Sequence, residues 1–279
     1  MRPFALPGKT CLITGAAGGI GDALARRLAA GGCDLALVDR DEAGLARTAE
    51  AARALGCAEI STHVVDLADG GDRTDLAAEV LQRHGRVDLL INNAGVALGG
   101  ELHQVGLDDF DWIMEINFRG VVTTTKAFLP HLRSNPGAHV VNLSSLFGLM
   151  APGGQVPYAA SKYAVRGFTE GLRHELAGSG VGVTVVHPGG IKTGIADSAR
   201  MGGDAATAEE LRAQSRDFNK HLTMPPERAA ALIVDAVRNR KPRLVITRTA
   251  KVLDVLTRLV PGHYGRVLAR LTALSGRGR

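Results

Sequence analysis

Short apolar runs alternate with longer amphipathic stretches along most of the chain. TCLIT (10–14), CDLALVD (33–39), STHVVDL (61–67), VDLLINN (87–93), AHVVNLS (138–144), VGVTVVH (181–187) and RLVIT (243–247) are too short for stable helices and rich in Val, Ile and Leu. Such runs predict strands of a sheet buried on both faces. Helical spacing of apolar residues marks the stretches around 20–30, 41–55, 72–84, 107–133, 158–178 and 226–240. Strands alternating with helices predict a parallel sheet covered on both sides, within one α/β domain.

Two stretches break this rhythm. Residues 190–225 separate a strand from a helix by a length that suits a functional lid, about 190–225. This lid mixes Ile195, Met201, Leu211, Phe218 and Leu222 with charged residues and is expected to set specificity. Beyond residue 247 the pattern is again helical. Val252, Val255, Leu256 and Leu259 share one face, and Val267, Leu271 and Leu274 share another after Pro261-Gly262. The predicted organisation is one main domain over 1–247 with a C-terminal extension over 248–279.

Composition refines this only at the ends. The 279 residues, 45% of them apolar, suit one large domain. The formal charge of +5 is concentrated from Arg238 to Arg279, where acids nearly vanish. The extension is therefore expected to pack on the body or on a neighbouring subunit. A basic amphipathic helix on an anionic membrane is the second reading, and without interleaved aromatics no nucleic acid is expected. Cys11, Cys33 and Cys57 form no C-x-x-C pair, which fits structural thiols in a reducing, cytoplasmic setting. No run approaches 18 apolar residues, and the N-terminal MRPFALPGK carries no long apolar segment.

The first chemical signal lies directly after the first predicted strand. In TCLITGAAGGIG, Gly15, Gly19 and Gly21, with Ile20 between them, form a Gly-rich turn that opens a helix. Glycines there let the backbone approach a pyrophosphate, and the helix N-terminus offers N–H groups and a positive dipole end. This context is that of a Rossmann-type doubly wound sheet. Asp39 ends the second strand, where an acid accepts hydrogen bonds from an adenosine ribose. Its alternative role is to cap the helix beginning at Asp41. Asp39 favours NAD, while Arg40 would suit the 2′-phosphate of NADP. Asp66 and Leu67, after the third strand, are candidates for the adenine end.

Six motifs then follow in one order: T-G-x-x-x-G-x-G (Thr14 to Gly21), NNAG (Asn92 to Gly95), Asn117 in EINFRG, NLSS (Asn142 to Ser145), Y-x-x-x-K (Tyr158 to Lys162) and HPGGIKT (His187 to Thr193). Over roughly residues 8–247 the chain resembles the short-chain dehydrogenase/reductase family. The resemblance implies an NAD(P)-dependent oxidoreductase acting on an alcohol, ketone or aldehyde, assembled as a homodimer or homotetramer through the long helices. It implies Ser145 rather than Ser144 as the catalytic serine, Tyr158 as acid/base, Lys162 beside it and Asn117 holding a relay water. It further implies Asn93, Ala94 and Gly95 beside the cofactor, and Pro188, Gly189, Ile191 and Thr193 against the nicotinamide.

Elementary chemistry supports the same pair. A free tyrosine has a pKa near 10, and a nearby cation lowers it. Helical i, i+4 spacing puts Lys162 on the face of Tyr158, so an acidified tyrosine is expected, with Lys162 also anchoring the ribose. Tyr163, whose i+4 residue is Gly167, is expected to pack. His187 has no ligand-spaced partners and reads as structural, so no metal is expected. Phe147, Leu149 and Met150 suggest an apolar substrate, unless they pack in the core. A second functional class remains open: a cofactor-sensing binding protein recruited to a membrane or partner by its basic tail.

Overall fold

The computed structural model describes residues 2–69, 75–195, 197–203, 209 and 222–267. Seven strands form one all-parallel sheet: β1 (Thr10–Thr14), β2 (Asp34–Asp39), β3 (Ile60–Val64), β4 (Leu89–Asn92), β6 (His139–Leu143), β7 (Gly182–His187) and β9 (Arg243–Val245). Their order is β3-β2-β1-β4-β6-β7-β9. The chain winds outward from β1 in one direction and from β4 in the other, so the strand order switches between them. Ligands of such sheets bind at the carboxyl ends of the strands beside this switch point.

Alternation along the central strands explains the two helical layers. Cys11 and Ile13 of β1, Leu35 and Leu37 of β2, and Leu89 and Ile91 of β4 face one side. There they meet α1 (Gly19–Ala29), α2 (Glu42–Ala54) and α7 (Pro226–Arg238) through Leu24, Leu28, Leu45, Ile233 and Val234. Leu12, Ala36, Leu90 and Val140 face the other side. These pack against α3 (Leu76–His84), α5 (Gly120–Arg133) and α6 (Val156–Glu175) through Val80, Phe128, Leu132 and Leu172. A period of two on strands and 3.6 on helices is what lets one sheet serve two cores.

Three departures from the sequence pattern bear on the site. The helix expected over 107–133 is α4 (Leu107–Met114), then a π-helical turn (Glu115–Arg119), then α5. Asn117 lies in that turn, and such insertions re-aim side chains within a helix. Secondly, β5 (Leu98–Gly99) and β8 (Arg200–Met201) pair in parallel outside the main sheet, which ties the start of the expected lid across the cleft. Arg200 also stacks on Trp112, its guanidinium carbon 3.7 Å from the ring centroid, and pairs with Asp109 at 3.0 Å. Leu211 and Phe218 of the lid lie outside the described residues.

The third departure concerns the extension. It begins with α8 (Arg248–Leu259), capped by the Thr247 hydroxyl, which accepts from the amide of Ala250. Asp254 on its inner face is 5% exposed and pairs with Arg243 of β9 at 2.6 Å and with Arg258 at 2.9 Å. Ala250 packs close to Gly189. Of the stripe expected to pack on the body or on a neighbouring subunit, Leu256 is half-buried, whereas Val252, Val255 and Leu259 face away from the body and are 67%, 48% and 74% exposed. The body offers this helix an arginine and a glycine, so an acid and an alanine became its inner face. Val267 is described, while Leu271 and Leu274 lie outside the described residues.

Candidate active site

At the carboxyl end of β1 the chain turns through Gly15 and Gly19, with φ of +67° and +56°. A side chain at either would strain the turn. A Cβ on Gly15 would sit 2.7 Å from the Cα of Ala94, and one on Gly21 would collide with the carbonyl of Gly15. Strand, turn and helix therefore close on one another. Gly18, the N-cap of α1, brings no side chain to the first amides of the helix. Those donors need a partner, and an anion is the natural one.

Side chains from neighbouring strands hold the turn in place. Asp39 accepts from the amides of Ala17 at 3.0 Å and Asp41 at 3.1 Å, so one carboxylate spans the turn and the end of β2. The cap of α2 is Asp41 itself, which accepts from Gly44 at 3.0 Å. Asn93 donates to the carbonyls of Thr14 and Gly15, and the Thr14 hydroxyl accepts from the amides of Asn93 and Ala94.

The other end of the cleft is built from α6 and the segment after β6. Ser145 caps the short 3-10 turn Leu146–Gly148, its hydroxyl accepting from Phe147 at 3.1 Å. That hydroxyl also acts on the Tyr158 phenol. Phe147 meets Tyr158 edge to face, with centroids 6.0 Å apart. Ser144 is spent on structure, donating to the carbonyl of Lys162 at 2.8 Å. Lys162 is 3% exposed, lies 5.7 Å from the Tyr158 ring centroid and donates to the carbonyl of Leu143 at 3.3 Å.

Electrostatics here run against the sequence expectation. Burial raises the Tyr158 phenol above its ordinary value, and the Ser145 hydroxyl draws it partly back. Burial also pushes the Lys162 ammonium down to about 8. Within the chain itself the lysine is thus not what sets the tyrosine. Desolvation penalises the charged form of both groups, and it outweighs an ammonium directed at a backbone carbonyl.

Asn117 stands behind this pair rather than in the cleft. Its side chain is fully buried: Oδ1 accepts from the amide of Val96 at 2.8 Å, and Nδ2 donates to the Val96 carbonyl and the Ser161 hydroxyl, both at 3.0 Å. His187 closes the back wall, donating from Nδ1 to the carbonyl of Ser145 at 3.0 Å. Burial holds its imidazole neutral, with a pKa of about 4, and Nε2 has no hydrogen-bond partner among the described residues.

These elements enclose a cleft of about 900 Å³. It gathers Gly15, Gly19, Ile20 and Asp39 at one end and Ser145, Tyr158 and Lys162 at the other. Asn93, Ala94 and Gly95 form its floor, with Pro188, Gly189, Ile191 and Thr193 along one side. Gly21 supports it from beneath. Arg40 is exposed at its edge and does not line it, nor do Asp66 and Leu67. Leu67 is 8% exposed and packs in the core beside Gly120, because β3 ends at Val64 and the chain has already turned inward.

The apolar prediction divides in the same way. Phe147 lines the cleft, whereas Leu149 and Met150 are buried elsewhere, at 3% and 6% exposed. Tyr163 does not reach the cleft and packs only in part, at 38% exposed. Sequence reasoning missed Leu98, Gly99, Gln155, Ser198 and Ala199, which share the substrate half with Met201. The short β5–β8 pairing that carries Leu98, Gly99 and Met201 leaves too brief a hydrophobic trace to read.

The parallel seven-stranded order, the Gly-rich turn at its switch point and the Ser–Tyr–Lys end define a nucleotide-linked oxidoreductase architecture. Residues 9–202 match the short chain dehydrogenase family, and the chain belongs to it. A putative oxidoreductase SadH of Mycobacterium tuberculosis is 43% identical over 265 residues, covering 94% of each chain. A short chain dehydrogenase/reductase from Burkholderia phymatum, solved in complex with NAD, superposes with a TM-score of 0.84 at 33% identity, over 92% of this chain and 95% of that one. A 3-ketoacyl-(acyl-carrier-protein) reductase from Brucella melitensis, complexed with NADH, does so at 0.73 and 26% identity, over 86% and 97%.

Proposed function

We propose that the chain interconverts an alcohol and a carbonyl compound with NAD as its cofactor, and that Tyr158 handles the proton. The observation that carries this reading is the single cleft uniting Asp39 and the uncapped α1 terminus with Ser145, Tyr158 and Lys162. The α1 amides would hold the pyrophosphate, Asp39 and the Asn93–Gly95 segment the adenosine half, and Lys162 with the Pro188–Thr193 segment the nicotinamide half. When bound, the nicotinamide supplies or receives hydride.

The rest of the chemistry belongs to this chain. Ser145 hydrogen-bonds the substrate oxygen and polarises a carbonyl. Tyr158 gives its phenolic proton to that oxygen during reduction and takes it back during oxidation. A phenol raised by burial stays protonated at neutral pH, which suits the reductive direction. The reductive rate is then expected to hold steady around neutrality and fall in strong alkali as the phenol ionises. The oxidative rate needs the phenolate and climbs with pH. Paired pH–rate profiles check this, and an oxidative rate that falls from neutral to alkaline pH would contradict it.

Phe147, Leu98, Ile195 and Met201 give the substrate half an apolar wall, with Gln155 and Ser198 as its polar exceptions. That balance favours an apolar ketone or secondary alcohol. Cofactor choice follows from Asp39, whose carboxylate would repel a 2′-phosphate while Arg40 stands at the edge. Fluorescence titrations are expected to show NADH binding at least about tenfold tighter than NADPH. Asp39→Ser should narrow the gap, and equal affinities in the unaltered chain would contradict the assignment. The resemblance also supports a homo-oligomer, and the three buried, unpaired thiols support a reducing, cytoplasmic setting.

A further inference from the structure

We propose that the outward face of α8 is a docking surface for an anionic lipid membrane. The face is continuous and independent of the chemistry in the cleft. Arg248, Lys251, Val252, Val255, Arg258 and Leu259 recur at helical spacing and are all exposed. Three of them are large apolar side chains between 48% and 74% exposed. Arg248 and Lys251 make no ion pair among the described residues, and Arg258 keeps 64% of its side chain exposed while pairing with Asp254. The only carboxylate of the helix is that of Asp254, turned inward and bound by Arg243 and Arg258.

Cations flanking an apolar stripe, with no exposed acid, is the composition of a helix lying in the headgroup region. The helix is also fixed in place before any docking. The ion pair of Asp254 with Arg243 of β9 and the packing of Ala250 on Gly189 set its orientation. The following turn joins the body through the Tyr264 hydroxyl, which accepts from the amide of Ala151 at 3.1 Å. The remaining residues, 268–279, add Arg270, Arg277 and Arg279 and no acid.

The same helix of a second copy fits this face poorly. A contact of α8 on α8 would set Arg248, Lys251 and Arg258 against one another, with no exposed acid on the helix to pair them. An anionic lipid surface satisfies the cations and the apolar stripe together.

Sedimentation of the full-length protein with vesicles tests the proposal. Binding is expected to phosphatidylcholine vesicles containing phosphatidylglycerol, to weaken as salt is raised, and to be negligible with phosphatidylcholine alone. Arg248→Gln and Lys251→Gln should each weaken it about fivefold. Val252→Ser with Leu259→Ser should weaken it about tenfold. None of these four residues lines the cleft, so NADH affinity and melting temperature serve as controls for fold. No binding to anionic vesicles, or equal binding to neutral ones, overturns the proposal. Binding untouched by all four substitutions would assign it to residues 268–279 and overturn it equally. A protein dimer that dissociates on Leu259→Ser would give the face to a second copy instead.

Discussion

Tyr158→Phe is expected to lower kcat by about 10²- to 10⁴-fold while leaving cofactor affinity unchanged. The change deletes one hydroxyl and keeps the ring that meets Phe147 edge to face. Its loss frees the Ser145 hydroxyl, which still has the amide of Phe147 to accept from. Stability should therefore move by no more than about 1 kcal/mol. Because the defect lies in proton transfer, the variant should also lose the alkaline rise of the oxidative rate. A variant that kept both its rate and that rise would remove Tyr158 from the mechanism.

Lys162→Met carries the second large effect, and its two consequences have opposite signs. The ammonium is buried with a backbone carbonyl as its hydrogen-bond acceptor, and its pKa is pushed from 10.5 to about 8. A displacement of that size corresponds to about 3 kcal/mol of destabilisation at neutral pH. The lost bond to Leu143 offsets about 1 kcal/mol, so the methionine variant should be about 2 kcal/mol more stable. Activity should nevertheless fall about a hundredfold, since the charge that faces the site is gone.

The pH dependence gives that claim its sign. Between about 8 and 10.5 the unfolded lysine still holds its proton while the folded one has lost it. Stability of the unaltered protein thus rises with pH through that window, and the advantage of the variant shrinks. Denaturation at pH 7 and at pH 10 would show this, and a variant less stable than the parent at pH 7 would contradict the buried-cation account. The site keeps its lysine against stability, as functional positions often do.

Much of this arrangement was legible in the residues because each part left a local mark. Seven short apolar runs gave the sheet, and the glycines at 15, 19 and 21 gave the turn at its switch point. Ser145, Tyr158 and Lys162 were legible through their order and the spacing of the last two, and the fold brings all three to one cleft. The π-helical turn at Glu115–Arg119 left no mark, since EINFR holds neither proline nor glycine. What that turn holds is tertiary: Asn117 bonded to Val96 and Ser161, partners distant in sequence.

The sign of the Tyr158 shift was illegible for a related reason. Spacing places Lys162 on the right helix face but does not say how deeply either group is buried. Burial, which no local pattern records, decided the direction. The same holds for α8. Its apolar stripe suits a partner surface but does not say which, and the ion pair of Asp254 with Arg243 is what turns Asp254 rather than Val252, Val255 and Leu259 toward the body.

One measurement tests the central claim most directly. The protein is incubated with NADH carrying deuterium at both C4 positions and a panel of apolar ketones, and the alcohol products are weighed by mass spectrometry. The account predicts one deuterium on the carbinol carbon with the unaltered chain and next to none with Tyr158→Phe. Label appearing equally with both proteins, or with neither, would contradict it.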